Sequence, residues 1–151
     1  MDRLILQKIA SYCAYQERTQ DEVKQRLQKW KVWGDEADEL IAELISMNYL
    51  SEERFAKTYA GGKFRIKNWG RMKIRNELKR RGLSNYSIEK GMNEIEDKAY
   101  VEGLRTLLEK KKVLLEKTEN DPFKLKQKLA RFALGKGYES ELIWKELGAG
   151  D

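Results

Sequence analysis

Apolar residues recur at helical spacing along the whole chain. Three pairs of apolar residues occur at intervals of 51 residues, and the two members of each pair are four positions apart. The pairs are Val23 and Leu27, Ile74 and Leu78, and Leu125 and Leu129. Each pair is followed by a glycine, at Gly34, Gly82 or Gly137, and then by a further amphipathic segment. Because a fixed period of this length is typical of stacked helical units, the pattern predicts three repeats. The distance from pair to glycine varies by about one helical turn.

The first repeat, residues 1–50, is predicted to contain three helices. The first, from about Asp2 to Gln16, has an apolar pattern formed by Leu4, Ile5, Ile9, Tyr12 and Cys13. Thr19 and Glu22 have the spacing of a capping box, which predicts a second helix ending near Trp30. A third helix begins near Asp35, and its apolar face contains Ala37, Leu40, Ile41, Leu44 and Ile45. We expect Trp30 and Trp33 to close the core at the bend rather than to bind a base.

The second repeat, residues 51–96, has equally clear helix boundaries. Ser51 is a predicted N-cap, and the helix after it is expected to bury Phe55, Tyr59 and Phe64. Residues 68–70 interrupt the pattern, and the next helix runs from about Arg71 to Arg81, before Gly82 supplies a left-handed C-terminal residue. Ser84 then caps a helix with Ile88, Met92 and Ile95 on its apolar face.

The third repeat, residues 97–151, begins with the longest predicted helix, from about Asp97 to Lys117. Asp121 and Pro122 indicate a cap followed by proline at the first helical position. Ser140 starts the last helix. The pattern therefore predicts nine helices in three tandem three-helix repeats, an all-α protein in an elongated, curved arrangement.

Composition agrees with the all-α prediction and narrows the function. The chain has one proline and few runs of β-branched residues, so strands are not expected. No apolar run approaches about 18 residues, so we expect no membrane span and place the protein in the cytoplasm. We also expect it to be a monomer. Histidine is absent and Cys13 is the single cysteine, which removes the commonest general base and any disulfide within the chain. We therefore expect neither an enzyme nor a cofactor or metal site, and we assign Cys13 to the core.

Positive charge is concentrated in one segment, residues 63–81, which we call the basic stretch. It holds nine Lys or Arg residues against one acid, Glu77, and its net charge of +8 exceeds the +6 of the whole chain. Surface helices usually intersperse both signs of charge. Confined positive charge instead indicates a polyanionic partner, most often nucleic acid or a nucleoprotein surface.

Three segments resemble those of a known family, the RecX regulatory proteins. Residues 50–56 are similar to the family's LDDERFA signature, and residues 69–82 resemble its YGPRRIRAELRRRG segment. Residues 128–132, followed by Gly137 and Tyr138, are similar to RLARFLLRRGF. The departures are Trp69 for the usual Tyr, Arg71 for the usual Pro, and an unusual bend between Trp30 and Gly34.

The resemblance implies three three-helix repeats and a partner, the RecA recombinase filament. RecX proteins lie in the helical groove of that filament and restrain its extension, ATP hydrolysis and strand exchange, without a catalytic centre. The resemblance places the contacts with the partner on the basic stretch, where we also expect weak contacts with DNA. The residues are Lys63, Arg65, Lys67, Trp69, Arg71, Lys73, Arg75, Lys79, Arg80 and Arg81. We expect Trp69 mainly to pack between helices, with partner contact as the alternative. Arg54 is expected to tie a helix start to a neighbouring carboxylate or carbonyl group.

Two other functions are compatible with the sequence. A three-helix unit with a basic second helix also describes many DNA-binding modules, and Asn76 could take part in base readout. A helical scaffold that docks its basic stretch on an acidic protein is the other. Salt-sensitive binding of free DNA distinguishes the DNA-binding module from the scaffold, and dependence on the recombinase distinguishes the filament modulator from both.

Overall fold

A computed structural model describes residues 1–148, and within them the chain forms nine α-helices and no strand. The helices are α1 Arg3–Tyr15, α2 Gln20–Lys29, α3 Gly34–Ser46, α4 Glu52–Lys67, α5 Arg71–Arg80, α6 Asn85–Met92, α7 Asp97–Leu115, α8 Pro122–Gly135 and α9 Ser140–Leu147. The all-α prediction is therefore confirmed. The last three residues of the predicted third repeat lie outside the described part. None of the described helices is both long and apolar enough to cross a membrane.

Local hydrogen bonds start the helices where the sequence predicts. The Glu22 N–H donates to Thr19 Oγ1 over 3.0 Å, and the Thr19 N–H donates to Glu22 Oε1 over 3.1 Å. The Asp121 carboxylate accepts from the Phe123 N–H at 2.9 Å, with proline at the first position of α8. Each cap satisfies amide groups that have no partner within the helix, so these boundaries depend on only a few neighbouring residues.

The three repeated apolar pairs lie on α2, α5 and α8, the middle helix of each predicted repeat. Five of these six residues are buried, and Leu125 is half-buried. Each middle helix ends with a backbone hydrogen bond to a residue five positions earlier, from Val32 to Leu27, from Leu83 to Leu78 and from Tyr138 to Ala133.

The residue before each of these donors has a positive φ. These residues are Gly82 at 85°, Gly137 at 98° and, in the first repeat, Lys31 at 61°. Lys31, and not Gly34, therefore occupies the repeated position, which explains the unusual bend. Helix α8 has 14 residues whereas α2 and α5 have 10, which accounts for the extra turn before Gly137.

Two compact units organise the described residues. The first contains residues 1–58 and 78–91, and the second contains residues 59–77 and the chain from Met92 onward. The middle group of helices is thus shared, because α4 and α5 each contribute to both units. The three-repeat division at residues 50 and 96 remains a prediction.

The core of the first unit is formed by α1, α2 and α3. Ile9, Val23, Leu27, Leu40 and Leu44 are all fully buried there. Burying a side chain of this kind stabilises the fold by about 1.5 to 3 kcal/mol. Cys13 is also buried, as expected, and burial raises the pKa of its thiol to about 11.

Arg54 links three parts of the first unit. Its Nε donates to Glu17 Oε2 at 2.7 Å, and its terminal nitrogens donate to Asn48 Oδ1 at 3.1 Å and to the Tyr49 carbonyl at 3.3 Å. The expected structural role of Arg54 is therefore confirmed. The Arg54 N–H also donates to Ser51 Oγ at 3.2 Å, which confirms Ser51 as the cap of α4.

Several predicted core residues are exposed instead. Leu4 is 73% exposed, because it lies five residues before Ile9 and so about 140° around the helix from it. Trp33 is 61% exposed, since it is extended and follows the buried Val32, so that the two side chains point to opposite sides. Ile45 is 46% exposed at the edge of the α3 apolar face. Of the two tryptophans at the bend, Trp30 packs against the core as expected, half-buried with the Lys8 ammonium 4.6 Å from its ring.

Candidate polyanion-binding surface

The basic stretch covers the end of α4, a three-residue loop and all of α5. The structure divides its ten predicted contact residues by exposure. Half are exposed, namely Arg65, Lys67, Lys79, Arg80 and Arg81. The other half are partly buried, namely Lys63, Trp69, Arg71, Lys73 and Arg75. The residues up to Arg75 belong to the second unit, and the three from Lys79 to Arg81 belong to the first.

Helix α5 is held by the apolar seam that its sequence predicts. Ile74 and Leu78 have no exposed surface, while Met72, Asn76 and Lys79 on the opposite side are exposed. Two buried residues therefore fix the rotation of the helix about its axis. As a result, most of its circumference is left to polar and basic side chains.

The loop before α5 is fixed by backbone contacts within the second unit. The Gly70 N–H donates to the Lys136 carbonyl at 2.7 Å, and the Met72 N–H donates to the Gly137 carbonyl at 3.0 Å. A Cβ at Gly70 would overlap the backbone of Gly137, and a Cβ at Gly137 would overlap Lys73. Two glycines thus allow the loop before α5 and the loop after α8 to touch.

Tyr100 on α7 anchors the first residue of α5. Its buried hydroxyl accepts a hydrogen bond from the Arg71 N–H at 2.9 Å and donates one to the Glu139 carboxylate. Burial and the hydrogen bond to Glu139 raise the pKa of Tyr100 well above its usual value. The segment that residues 69–82 resemble has a proline at this position, and a proline could not provide this N–H donor. The departure at Arg71 therefore adds a contact that fixes the start of α5.

The Arg71 side chain contacts other residues of the protein rather than pointing freely into solvent. Its guanidinium lies 4.1 Å from the centre of the Tyr100 ring and donates to the Asp97 carboxylate. It also lies 4.0 Å from Glu139 Oε2 and 3.4 Å from the Ile95 carbonyl. Arg71 therefore positions α5, and most of its hydrogen-bonding capacity is already used.

An aromatic column supports the same corner of the second unit. The rings of Tyr100 and Tyr138 stack with centroids 5.0 Å apart. The ring of Phe64, on α4, has its centroid 5.8 Å from that of Tyr100. The buried Tyr138 hydroxyl has no hydrogen-bond partner among the described residues. Burial, and secondarily the charge of Glu139, raise the pKa of Tyr138 to about 12.

Trp69 combines packing with partial exposure. Its ring meets the edge of Tyr59 at a centroid distance of 6.4 Å, and the ammonium groups of Lys63 and Lys73 lie 4.9 and 4.5 Å from its centre. These contacts are cation–π interactions, and they hold two of the predicted contact lysines beside the ring. Tyr59 and Phe64, expected in the core, are likewise only half-buried.

No local sequence pattern predicts that Tyr100, Asp97 and Glu139 support the basic stretch. A tyrosine at a buried helix position was an available signal, because such a hydroxyl usually finds a partner. Its partners, however, lie 29 and 39 residues away in sequence. Local patterns cannot identify contacts over such distances.

Comparison with known proteins identifies relatives over most of the chain. The profile of the RecX second three-helix domain matches residues 51–92, and that of the RecX third three-helix domain matches residues 99–147. The regulatory protein RecX of Clostridium perfringens strain 13 is 34% identical over 122 residues, which cover 81% of this chain and 57% of that protein. The RecX of Bacillus cytotoxicus is 30% identical over 133 residues, covering 88% of this chain and 48% of the relative. This chain thus spans about half the length of these relatives.

Solved structures show the same fold. A crystal structure of RecX from Lactobacillus salivarius superposes with a TM-score of 0.84 at 23% identity, covering 95% of this chain and 92% of that one. A second crystal structure, of a regulatory protein RecX, gives a TM-score of 0.81 at 17% identity, with 95% and 73% coverage. With two domain profiles matched in order, a shared fold and relatives across most of its length, the chain belongs to the RecX family.

Proposed function

We propose that this protein binds the RecA recombinase filament and modulates it, in the direction of inhibiting extension, ATP hydrolysis and strand exchange. The observation that carries the proposal is that the whole basic stretch lies within residues 51–92, the segment matched by the RecX second three-helix domain. The relatives over this segment are named regulatory proteins. The proposed partner also places the protein in the cytoplasm.

The exposed cations are suited to a nucleoprotein surface. Arg65 and Lys67 are displayed at the end of α4, and Lys79 is displayed on α5. The supports formed by Tyr100 and Arg71 fix the start of α5, so little side-chain and backbone order has to be created on binding. The proposed action is occupation of a surface without covalent chemistry, and the protein is not proposed to be an enzyme.

Contact with several neighbouring recombinase subunits would make affinity depend on the assembled filament. Multivalent contact raises apparent affinity by about 10² to 10⁴ over single contacts. We expect affinity for the filament to exceed that for free recombinase or bare DNA. A bound molecule would obstruct the groove where a second DNA strand pairs, and one near the growing end would block added subunits. Inhibition is therefore expected well below one molecule per recombinase subunit.

The test is titration of the protein into preformed filaments on single-stranded DNA, with ATP hydrolysis and filament length as readouts. The variant Lys67→Ala with Lys79→Ala should require several-fold more protein for the same inhibition. The matched control, Lys110→Ala with Lys117→Ala, removes two exposed lysines of α7 and its following turn and should behave as the parent. Inhibition that needs stoichiometric protein, and that added DNA reverses, would contradict the filament-specific proposal.

A plain DNA-binding module is the second candidate, favoured by the exposed cations of the basic stretch. Free DNA binding is expected to be weak, independent of sequence and strongly dependent on salt, because counterion release dominates phosphate contacts. Losing two phosphate contacts should reduce the slope of log affinity against log salt by about 1.4 to 1.8. Binding isotherms of the Lys67, Lys79 variant at several salt concentrations measure this. Tight binding to one sequence at physiological salt would contradict this expectation.

A further inference from the structure

Helix α3 concentrates negative charge as strongly as the basic stretch concentrates positive charge. It carries five acidic residues and no basic one, at Asp35, Glu36, Asp38, Glu39 and Glu43. Together with α2 it borders a groove of about 270 Å³ in the first unit. Ile41, Ala42 and Ile45 provide apolar surface in this groove. Its charged lining consists of Asp21, Asp38 and one cation, Lys24, so the groove is negative by one charge. We call this the acidic groove.

The end of α4, in the second unit, has the opposite character. Ile66 is 77% exposed, one of the most exposed large apolar side chains of the protein. The residues on either side of it, Arg65 and Lys67, are also exposed. Successive helix residues point about 100° apart, so a cation lies on each side of the isoleucine. We call Arg65, Ile66 and Lys67 the basic knob.

We propose that the acidic groove binds the basic knob of a second copy of this chain. The apolar side chain of Ile66 matches the apolar surface of Ile41, Ala42 and Ile45, and the flanking cations match Asp21 and Asp38. The large exposed fraction of Ile66 shows that the described part of its own chain leaves this side chain uncovered. The two surfaces are different parts of the molecule, so the contact is heterologous and can continue from copy to copy.

The association is weak, because one knob and one groove bury much less than the roughly 1,000 Å² typical of a stable interface. We expect the copies to associate only at protein concentrations of about 0.1 to 1 mM. At lower concentrations the protein should be a monomer, as we expect from the sequence. The net charge of +6 opposes association. At about 0.1 M salt the Debye length is near 10 Å, so distant repulsion is screened more than the contacting pairs. About 1 M salt weakens the contacting pairs as well.

Self-association and polyanion binding use the same two cations. Arg65 and Lys67 belong both to the basic knob and to the exposed part of the basic stretch. A bound DNA strand therefore competes with a second copy for these side chains. The inference goes beyond the proposed filament function, since it concerns the protein alone.

Sedimentation velocity of the full chain, without DNA or recombinase, tests the inference. The parent should show mass increasing with concentration at about 0.1 M salt, and an added oligonucleotide should abolish this self-association. A groove variant, Asp21→Lys with Asp38→Lys, should weaken association at least about tenfold, because it places like charges in contact. A knob variant, Arg65→Glu with Lys67→Glu, should do the same.

Mixing the two variants provides the decisive measurement. Each should be monomeric alone, whereas the mixture should associate because the charge pairs are restored in reversed order. The control variant, Glu94→Lys with Glu102→Lys, changes the net charge by the same amount as the groove variant, at exposed positions outside the groove. Its self-association should be weakened only by the higher net charge. Circular dichroism establishes that every variant is folded. A parent that stays monomeric throughout this concentration range, or a mixture that fails to associate, would overturn the proposal.

Discussion

Removing the hydroxyl group from each of two stacked tyrosines should affect stability differently, with a loss at Tyr100 and no loss at Tyr138. Tyr100 and Tyr138 are both buried in the second unit, with ring centroids 5.0 Å apart. The Tyr100 hydroxyl has two hydrogen-bond partners, Arg71 and Glu139, whereas the Tyr138 hydroxyl has none among the described residues. Substitution by phenylalanine keeps the ring in both cases. The comparison therefore isolates the hydroxyl group.

The structure sets the expected magnitudes. A hydrogen bond to a charged group contributes about 1.5 to 3 kcal/mol and a neutral one about 0.5 to 1.5. The Glu139 side chain is 34% exposed and can recover some hydration, so Tyr100→Phe should lower the free energy of unfolding by about 2 to 3 kcal/mol. A buried hydroxyl without a partner costs about 1 to 3 kcal/mol. Tyr138→Phe should therefore leave stability unchanged or raise it by about 1 kcal/mol.

Urea denaturation followed by circular dichroism measures both free energies, and thermal melting provides a second measurement. For a chain of this size the Tyr100→Phe loss corresponds to a fall in Tm of about 4 to 12 °C. An unchanged m-value would show that the extent of unfolding is the same in both variants. Equal destabilisation by the two substitutions would refute the assignment of hydrogen bonds. A neutral Tyr100→Phe would refute its role in anchoring α5.

Two further predictions concern alkaline pH and the repeated apolar pairs. Burial raises the pKa of Tyr138 to about 12 and raises the pKa of Tyr100 further. The contribution of the two protonated tyrosines to the free energy of unfolding should therefore be fully present below about pH 10, the pKa of tyrosine in the unfolded chain. It should fall as the pH rises above that value. A double phenylalanine variant should show a shallower decline in the urea midpoint, and an identical decline would contradict the sign. Leu78→Ala should cost about 2 to 5 kcal/mol, since Leu78 is fully buried, whereas Lys110→Ala, at an exposed position, should change stability by less than about 0.5 kcal/mol. Equal losses in urea denaturation would mean that the repeat register is wrong.

The sequence by itself determined the helices and their boundaries. The capping box at Thr19 and Glu22, the cap and proline at Asp121 and Pro122, and the left-handed Gly82 all formed as predicted. These features depend on residues within about one helical turn of each other, so a single segment contains all the information needed. The spacing of the apolar pairs likewise predicted the three middle helices, because burial follows the helical period.

Tertiary structure decided which of the patterned residues are used, and for what. Trp33 belongs to a plausible apolar cluster, yet an extended backbone turns it outward. Arg71 looked like one more contact residue of the basic stretch, but its partners Asp97, Tyr100 and Glu139 lie 26 to 68 residues further along the chain. Such contacts exist only once separate helices pack together, so no local pattern encodes them. The physical reason is that charge and hydrophobicity are properties of a residue, whereas exposure and hydrogen bonding are properties of its neighbours in space.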